Sequence, residues 1–290
     1  MPGFSYVNGR YVPHGSAVVH IEDRGFQFAD GVYEVIALMN GRFADEAGHL
    51  DRLERSLGEL NIALPMPRRS LQLVARELAR RNRLKNGYLY MQITRGVARR
   101  DFKFPKDVKP TLVMVVRPSV FGNLVARKAV TVPDIRWKRR DIKTTALTAQ
   151  VLAKQAAVEK GAYEALMFDE GGFITEGASS NAWIIDKDDN LITRPTLDTV
   201  ILKGVTRNAL QAICKRKNIR IIERPFSVKE AYQAREAFIT SAVALVAPIV
   251  EIDGHKIGDG RPGVLTSAIL EMYMAYATDP ERKQERWNEK

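Results

Sequence analysis

Arg140-Asp141-Ile142-Lys143-Thr144-Thr145 and, further along, Ile174-Thr175-Glu176-Gly177-Ala178-Ser179-Ser180-Asn181 decide how this chain is read. A lysine ahead of a predicted helix is followed by a carboxylate set among small hydroxyl residues. The pattern suits a bound pyridoxal phosphate. Lys143 would form the imine, Glu176 would keep the ring nitrogen protonated, and Ser179, Ser180 and Asn181 would let backbone amides approach a phosphate. Each piece also has a plainer reading. Lys143 reads as a surface lysine in a basic stretch, Glu176 as a turn glutamate after Gly171-Gly172, and the serines as a turn cluster. A third segment, Leu202-Lys203-Gly204-Val205-Thr206-Arg207, reads as a helix amino terminus, where unpaired N–H groups and the helix dipole attract anions.

Lysine forms an imine only as the free amine, so its site must lower an ordinary pKa of about 10.4. Arg139 and Arg140 push that way by like-charge repulsion if they lie close.

With 290 residues, 45% hydrophobic and 27% charged, the chain has the composition of an ordinary globular protein of one or two domains. It has no apolar run long enough to span a membrane and no basic-then-apolar start typical of a secretory signal. Cys214 is the only cysteine, which excludes an internal disulfide and points to a reducing, cytoplasmic setting. The net charge of +11 favours anionic partners. The basic residues are nevertheless spread along the chain without a nucleic-acid-binding motif, so a solvated basic surface is the expectation.

Asn8-Gly9 and Asn40-Gly41, each between short β-prone arms, predict two hairpins. Helices are predicted from Gly48 to Leu60 and from Arg68 to Leu84, the second with Leu71, Val74 and Leu78 on one face. Strands follow at Tyr88 to Arg95 and Thr111 to Arg117. The second half alternates: strands at Ala129 to Pro133, Glu164 to Phe168, Ala182 to Asp186, Ala237 to Thr240 and Ile249 to Ile252. Helices are expected from about Leu147 to Lys160, from Gly204 to Lys217 and from Pro262 to Ala277, with a capping box at Ser227 to Glu230. The expected organisation is α+β: an N-terminal domain over 1–118, a linker over 119–127, a C-terminal cofactor domain over 128–278, and a frayed polar tail over 279–290.

Taken together the motifs resemble the fold-type IV pyridoxal-phosphate enzymes, and among them the bacterial D-amino-acid transaminases. The resemblance rests on Glu22 to Glu34, on His49-Leu50-Asp51-Arg52-Leu53, and on Gln92-Ile93-Thr94-Arg95-Gly96. It continues through Asp134-Ile135-Arg136-Trp137, Asp141-Ile142-Lys143, Thr175-Glu176-Gly177, the Leu202–Arg207 segment and Phe238-Ile239-Thr240-Ser241. It implies a smaller N-terminal α/β domain, a larger β-barrel-like domain with helices, and a homodimer. The implied activity is exchange of an amino group between a D-amino acid and pyruvate or 2-oxoglutarate through a Lys143 Schiff base.

The resemblance also implies roles for individual residues. Arg52, Val205, Thr206, Ser241 and Ala242 would surround the phosphate, with Ala242 offering only its N–H where the family uses a hydroxyl residue. Glu34, His49 and Arg136 would orient groups near the cofactor. Tyr33 and Arg100 would hold the substrate carboxylate. Phe102 stands where the family has a histidine, a change that removes one anchor. An (R)-selective amine transaminase and a branched-chain L-amino-acid transaminase of the same fold stay open as alternatives. A basic nucleic-acid-binding protein is the alternative from a different class.

Overall fold

The computed structural model describes residues 3–197 and 199–279; the predicted tail over 280–290 lies outside the described residues. The chain divides into two compact units, 3–120 with 142–146 and 121–141 with 147–279.

The first unit comprises β1 (Phe4–Val7), β2 (Arg10–Pro13), α1 (Arg24–Phe28), β3 (Gly31–Met39), β4 (Arg42–Phe43), α2 (Glu46–Glu59), α3 (Arg68–Arg81), β5 (Gly87–Thr94) and β6 (Thr111–Pro118). Its sheet is antiparallel throughout, in the order β2-β1-β6-β5-β3-β4. Both predicted hairpins form. Asn8 and Gly9 have φ of 43° and 92°, and Asn40 and Gly41 have 50° and 79°, the paired left-handed conformations that a two-residue hairpin turn needs. Leu71, Ala75 and Leu78 bury one stripe of α3 against the sheet, with Val74 partly buried beside them.

Residues 142–146 were expected to belong to the second domain. They sit with the first unit because they pair with the start of β3. Tyr33 N–H donates to the Lys143 carbonyl at 3.0 Å, Thr145 N–H donates to Gly31 O at 3.0 Å, and Val32 bridges Thr144. Long-range pairing of five residues is invisible to local periodicity.

The second unit comprises β7 (Arg127–Pro133), α4 (Thr148–Glu159), β8 (Glu164–Phe168), β9 (Ile174–Gly177), β10 (Asn181–Ile185), β11 (Leu191–Thr193), α5 (Val205–Arg216), β12 (Ile221–Glu223), α6 (Val228–Tyr232), β13 (Glu236–Ser241), β14 (Leu245–Ile252), β15 (His255–Lys256) and α7 (Val264–Thr278). Its mixed sheet runs β12-β11-β10-β13-β14-β7-β8-β9, with β15 on β14. β9 ends that path, yet only Ala178, Ser179 and Ser180 connect it to β10, which lies five strands away. A flat sheet would separate them by roughly 24 Å at the usual strand spacing, and a link this short reaches only about 14 Å. The sheet must curl back on itself, as the expected barrel-like domain requires.

Two local readings change. Ser227 Oγ accepts the Glu230 N–H at 3.1 Å, but the Glu230 carboxylate goes to Arg224, so only half the capping box forms. Glu176, whose plainer reading was an exposed turn glutamate, lies in the buried strand Ile174–Gly177.

Candidate active site

In the first unit the candidate residues gather on β3 and α2. Glu34 points inward from β3 and is fully buried. His49 and Arg52, three apart on α2, share a helix face and both reach it. Arg52 makes a two-pronged contact, Nε to Oε1 at 2.7 Å and the second guanidinium nitrogen to Oε2 at 2.8 Å, and His49 Nδ1 lies 2.7 Å from Oε2. Burial works against the Glu34 charge, but Arg52 and His49 outweigh it and bring the carboxyl down to about 2. Glu34 thus ties His49 and Arg52 into one buried cluster.

A depressed carboxyl pKa stabilises the fold above its ordinary value and loses that effect as pH falls through the depressed one. Lowering Glu34 from 4.5 to about 2 is worth about 3 kcal/mol at neutral pH. Urea unfolding of Glu34→Gln is expected to show a loss of this order at pH 7, with wild type and variant converging as pH falls from about 4.5 toward 2. A constant gap across that range would remove Glu34 ionisation as the cause.

Next to Glu34 on the strand, Tyr33 points to the other face, stacking on Tyr90 with ring centroids 5.7 Å apart. Lys143 Nζ rests 4.2 Å from the Tyr33 ring centre and has no carboxylate partner among the described residues. Arg139 is paired with Asp141 at 3.0 Å and Arg140 faces Asp134 at 3.5 Å. Both cations expected to press on Lys143 are thus already compensated.

The loop between β5 and β6 carries Arg100 and Phe102. Arg100 lies 4.6 Å from the Phe28 ring, and Phe102 contacts the same ring while remaining 82% exposed. Buried Arg24 donates to the Asp101 carbonyl and pairs with Asp30 at 2.8 Å, which ties this loop to α1.

In the second unit Glu176 sits on β9 with both carboxylate oxygens engaged. Arg136 donates to Oε1 through a very short contact. Asn181 Nδ2 donates to Oε2 at 2.9 Å, and Leu202 N–H reaches both oxygens at 3.1 and 3.2 Å. Burial pushes the Glu176 carboxyl up, opposed by Arg136 and Leu202. Burial works equally against the Arg136 charge, and Glu176 with Asp134 more than restores it. Gly204 is needed beside this network, because a Cβ there would lie 1.9 Å from Asn181 Oδ1.

The hydroxyls of Ser179 and Ser180 are engaged within the protein. Both donate to the buried Glu164 at 2.9 Å, leaving only their backbone groups for a phosphate. Val205 and Thr206 open α5, whose first turn has no side-chain cap. Ser241 ends β13, and its Oγ accepts the Ala244 N–H at 3.0 Å; Ala242 follows, partly buried. Asp134 was quoted in a motif but given no role. Its position two residues before Arg136, where an aspartate side chain can accept the N–H two residues on, was the available signal.

The chain matches the amino-transferase class IV family model over residues 31–252. It is 38% identical to the D-alanine aminotransferase of Staphylococcus haemolyticus over 275 residues, covering 93% of this chain and 96% of that protein. It is 37% identical to the same enzyme of Bacillus licheniformis, covering 90% and 93%. Among solved structures it resembles the branched-chain aminotransferases of Thermoproteus uzoniensis (TM-score 0.87, 24% identity, covering 96% and 95%) and Escherichia coli (0.87, 22%, covering 98% of each), likenesses of fold. The chain belongs to the class IV aminotransferases. Enzymes of this family depend on pyridoxal 5′-phosphate.

The residues present suit that cofactor. A buried carboxylate is held by a guanidinium, an amide and a backbone N–H. A primary amine rests on an aromatic face, and an uncapped helix N-terminus offers donors to a phosphate.

Proposed function

We propose that this enzyme moves an amino group from a D-amino acid to a 2-keto acid such as pyruvate or 2-oxoglutarate. The observation that carries the reading is the buried Glu176, held at both oxygens yet facing a guanidinium it does not monopolise. Such a carboxylate is built to keep a proton on a basic ring nitrogen. The D-configuration is supported by the relatives, which are D-alanine aminotransferases of nearly the same length.

Pyridoxal 5′-phosphate, when bound, supplies an electron sink that makes the substrate Cα–H acidic. The chain supplies the rest. Lys143 Nζ would hold the cofactor at its aldehyde carbon and would act as the base that takes up and returns the substrate Cα proton. Glu176 holds the proton at the ring nitrogen. The α5 N–H groups, Ser241 and the Ala242 N–H are donors that would suit a phosphate, and Arg52, its guanidinium fixed by Glu34 with His49 behind it, would be the charged one. Tyr33 and Arg100 orient the substrate carboxylate.

Phe102 supports a second reading. An exposed phenyl ring beside Arg100 neither donates a hydrogen bond nor carries charge, and it favours donors with an apolar flank, as in an (R)-selective amine transaminase. Half-reaction rates with D-alanine, L-leucine and (R)-1-phenylethylamine separate the two readings from each other and from a branched-chain L-enzyme. The expected order places D-alanine first. A preference for L-leucine would defeat the D-amino-acid reading. Phe102→His is expected to tighten D-alanine binding by about tenfold, the effect of one hydrogen bond to a charged group, with little change for the amine. No gain in affinity would show that Phe102 lies outside the carboxylate pocket.

The enzyme is further proposed to be a homodimer. Ile21, Phe26, Phe102 and Phe104 of the first unit are 74%, 75%, 82% and 58% exposed, more apolar surface than a single chain needs to leave in water. A cytoplasmic location is proposed from the buried, unpaired Cys214, and the described residues contain no helix long and apolar enough to cross a membrane.

A further inference from the structure

We propose that Asp134 is a positioning residue: it confines Arg136 to a one-nitrogen contact with Glu176, so that a lone pair of Glu176 stays available to the cofactor's ring nitrogen. The inference rests on the reading of Glu176 given above and deepens it.

A guanidinium that meets a carboxylate prefers to engage both oxygens with two parallel N–H bonds. Arg136 does so, but with Asp134. Its Nε donates to Oδ1 at 2.9 Å and one terminal nitrogen donates to Oδ2 at 2.7 Å, while its backbone N–H reaches Oδ1 at 3.1 Å. Only the other terminal nitrogen is left for Glu176, and it goes to Oε1.

Asp134 is itself held from several sides, and its side chain is fully buried. Thr175 Oγ1 donates to Oδ2 at 2.7 Å, and Arg140 Nε lies 3.5 Å from the same oxygen. Thr175 immediately precedes Glu176 on β9, so the aspartate that aims the arginine is tied to the strand that carries the glutamate.

The acceptor inventory of Glu176 shows why this matters. An ionised carboxylate offers about four lone-pair sites. Arg136 takes one on Oε1, Asn181 takes one on Oε2, and the Leu202 N–H is shared between the oxygens. Three donors thus meet about four acceptor directions, which leaves room for one more. A two-pronged grip by Arg136 would fill it. The charges point the same way, because Asp134 and Glu176 face Arg136 and Arg140 in equal number. Without Asp134 the cluster carries an excess positive charge, and Glu176 is the nearest carboxylate to compensate it.

The test compares binding of pyridoxal 5′-phosphate with binding of its 1-deaza analogue, in which a C–H replaces the ring nitrogen, to the full-length apo chain by fluorescence titration. The wild type is expected to prefer the natural cofactor by about tenfold or more, the worth of a hydrogen bond to a charged group. Glu176→Gln should abolish that preference. Asp134→Asn should lose most of it while binding the deaza analogue as the wild type does, and should have no further effect when combined with Glu176→Gln. A variant that weakens both ligands equally and keeps the preference would overturn the proposal, leaving Asp134 as a neutraliser of buried arginines. If Asp134→Asn fails to fold, Thr175→Val keeps the charge but removes its hydroxyl support; a reduced preference supports the proposal and an unchanged one refutes it. A full preference in Glu176→Gln would sink the reading of Glu176 and this inference with it.

Discussion

Lys143→Ala is expected to abolish covalent capture of the cofactor and to lower kcat by about 10⁴-fold or more. Two functions are lost with one amine: the anchor for the aldehyde carbon, and the base that moves a proton between Cα and C4′, for which positioned proton transfer alone is worth about 10²- to 10⁴-fold. The fold should survive. Lys143 is only partly buried, its backbone makes the bonds to β3, and its Nζ contributes a single contact with the Tyr33 ring. Near-wild-type thermal unfolding together with lost absorbance above 400 nm, typical of a protein-bound cofactor, is therefore predicted. A variant that keeps both its yellow colour and its turnover would show that another group does the chemistry.

The next largest loss is expected from Glu176→Gln, on the order of 10²- to 10³-fold in kcat, the scale on which removal of one preorganised electrostatic partner acts. Glutamine matches the shape of glutamate but offers only one acceptor oxygen. Its amide would set an N–H donor against either Asn181 Nδ2 or the Leu202 N–H, both of which now donate to the carboxylate. The proton on the ring nitrogen loses its counter-charge, and the electron sink weakens. Steady-state kinetics should show the loss in kcat more than in KM, because the contact strengthens as charge develops. An unchanged kcat would place the protonating group elsewhere.

Local grammar carried much of the fold. Asn-Gly pairs between β-prone arms gave both hairpins, and the predicted helices and strands of the regular segments fall within a few residues of those observed. The short strands β11 and β12, three residues each, lack the length to display a period.

Legibility in the site split along the same line. The motif around Glu176 was readable because its residues are neighbours in sequence. What Ser179 and Ser180 do was not, since their partner Glu164 lies 15 and 16 positions away on another strand. Nor could sequence show that Arg52 grips Glu34, which takes the packing of α2 on β3. Asp134 was visible but silent: an aspartate beside an arginine declares its role only when the geometry shows which edge of the guanidinium it occupies.

Borohydride reduction of the cofactor-loaded enzyme, followed by proteolysis and mass spectrometry, tests the assignment most directly. A phosphopyridoxyl group on the peptide containing Lys143, and on no other lysine peptide, is the predicted result. The same group found on a different lysine, with Lys143 unmodified, would contradict it.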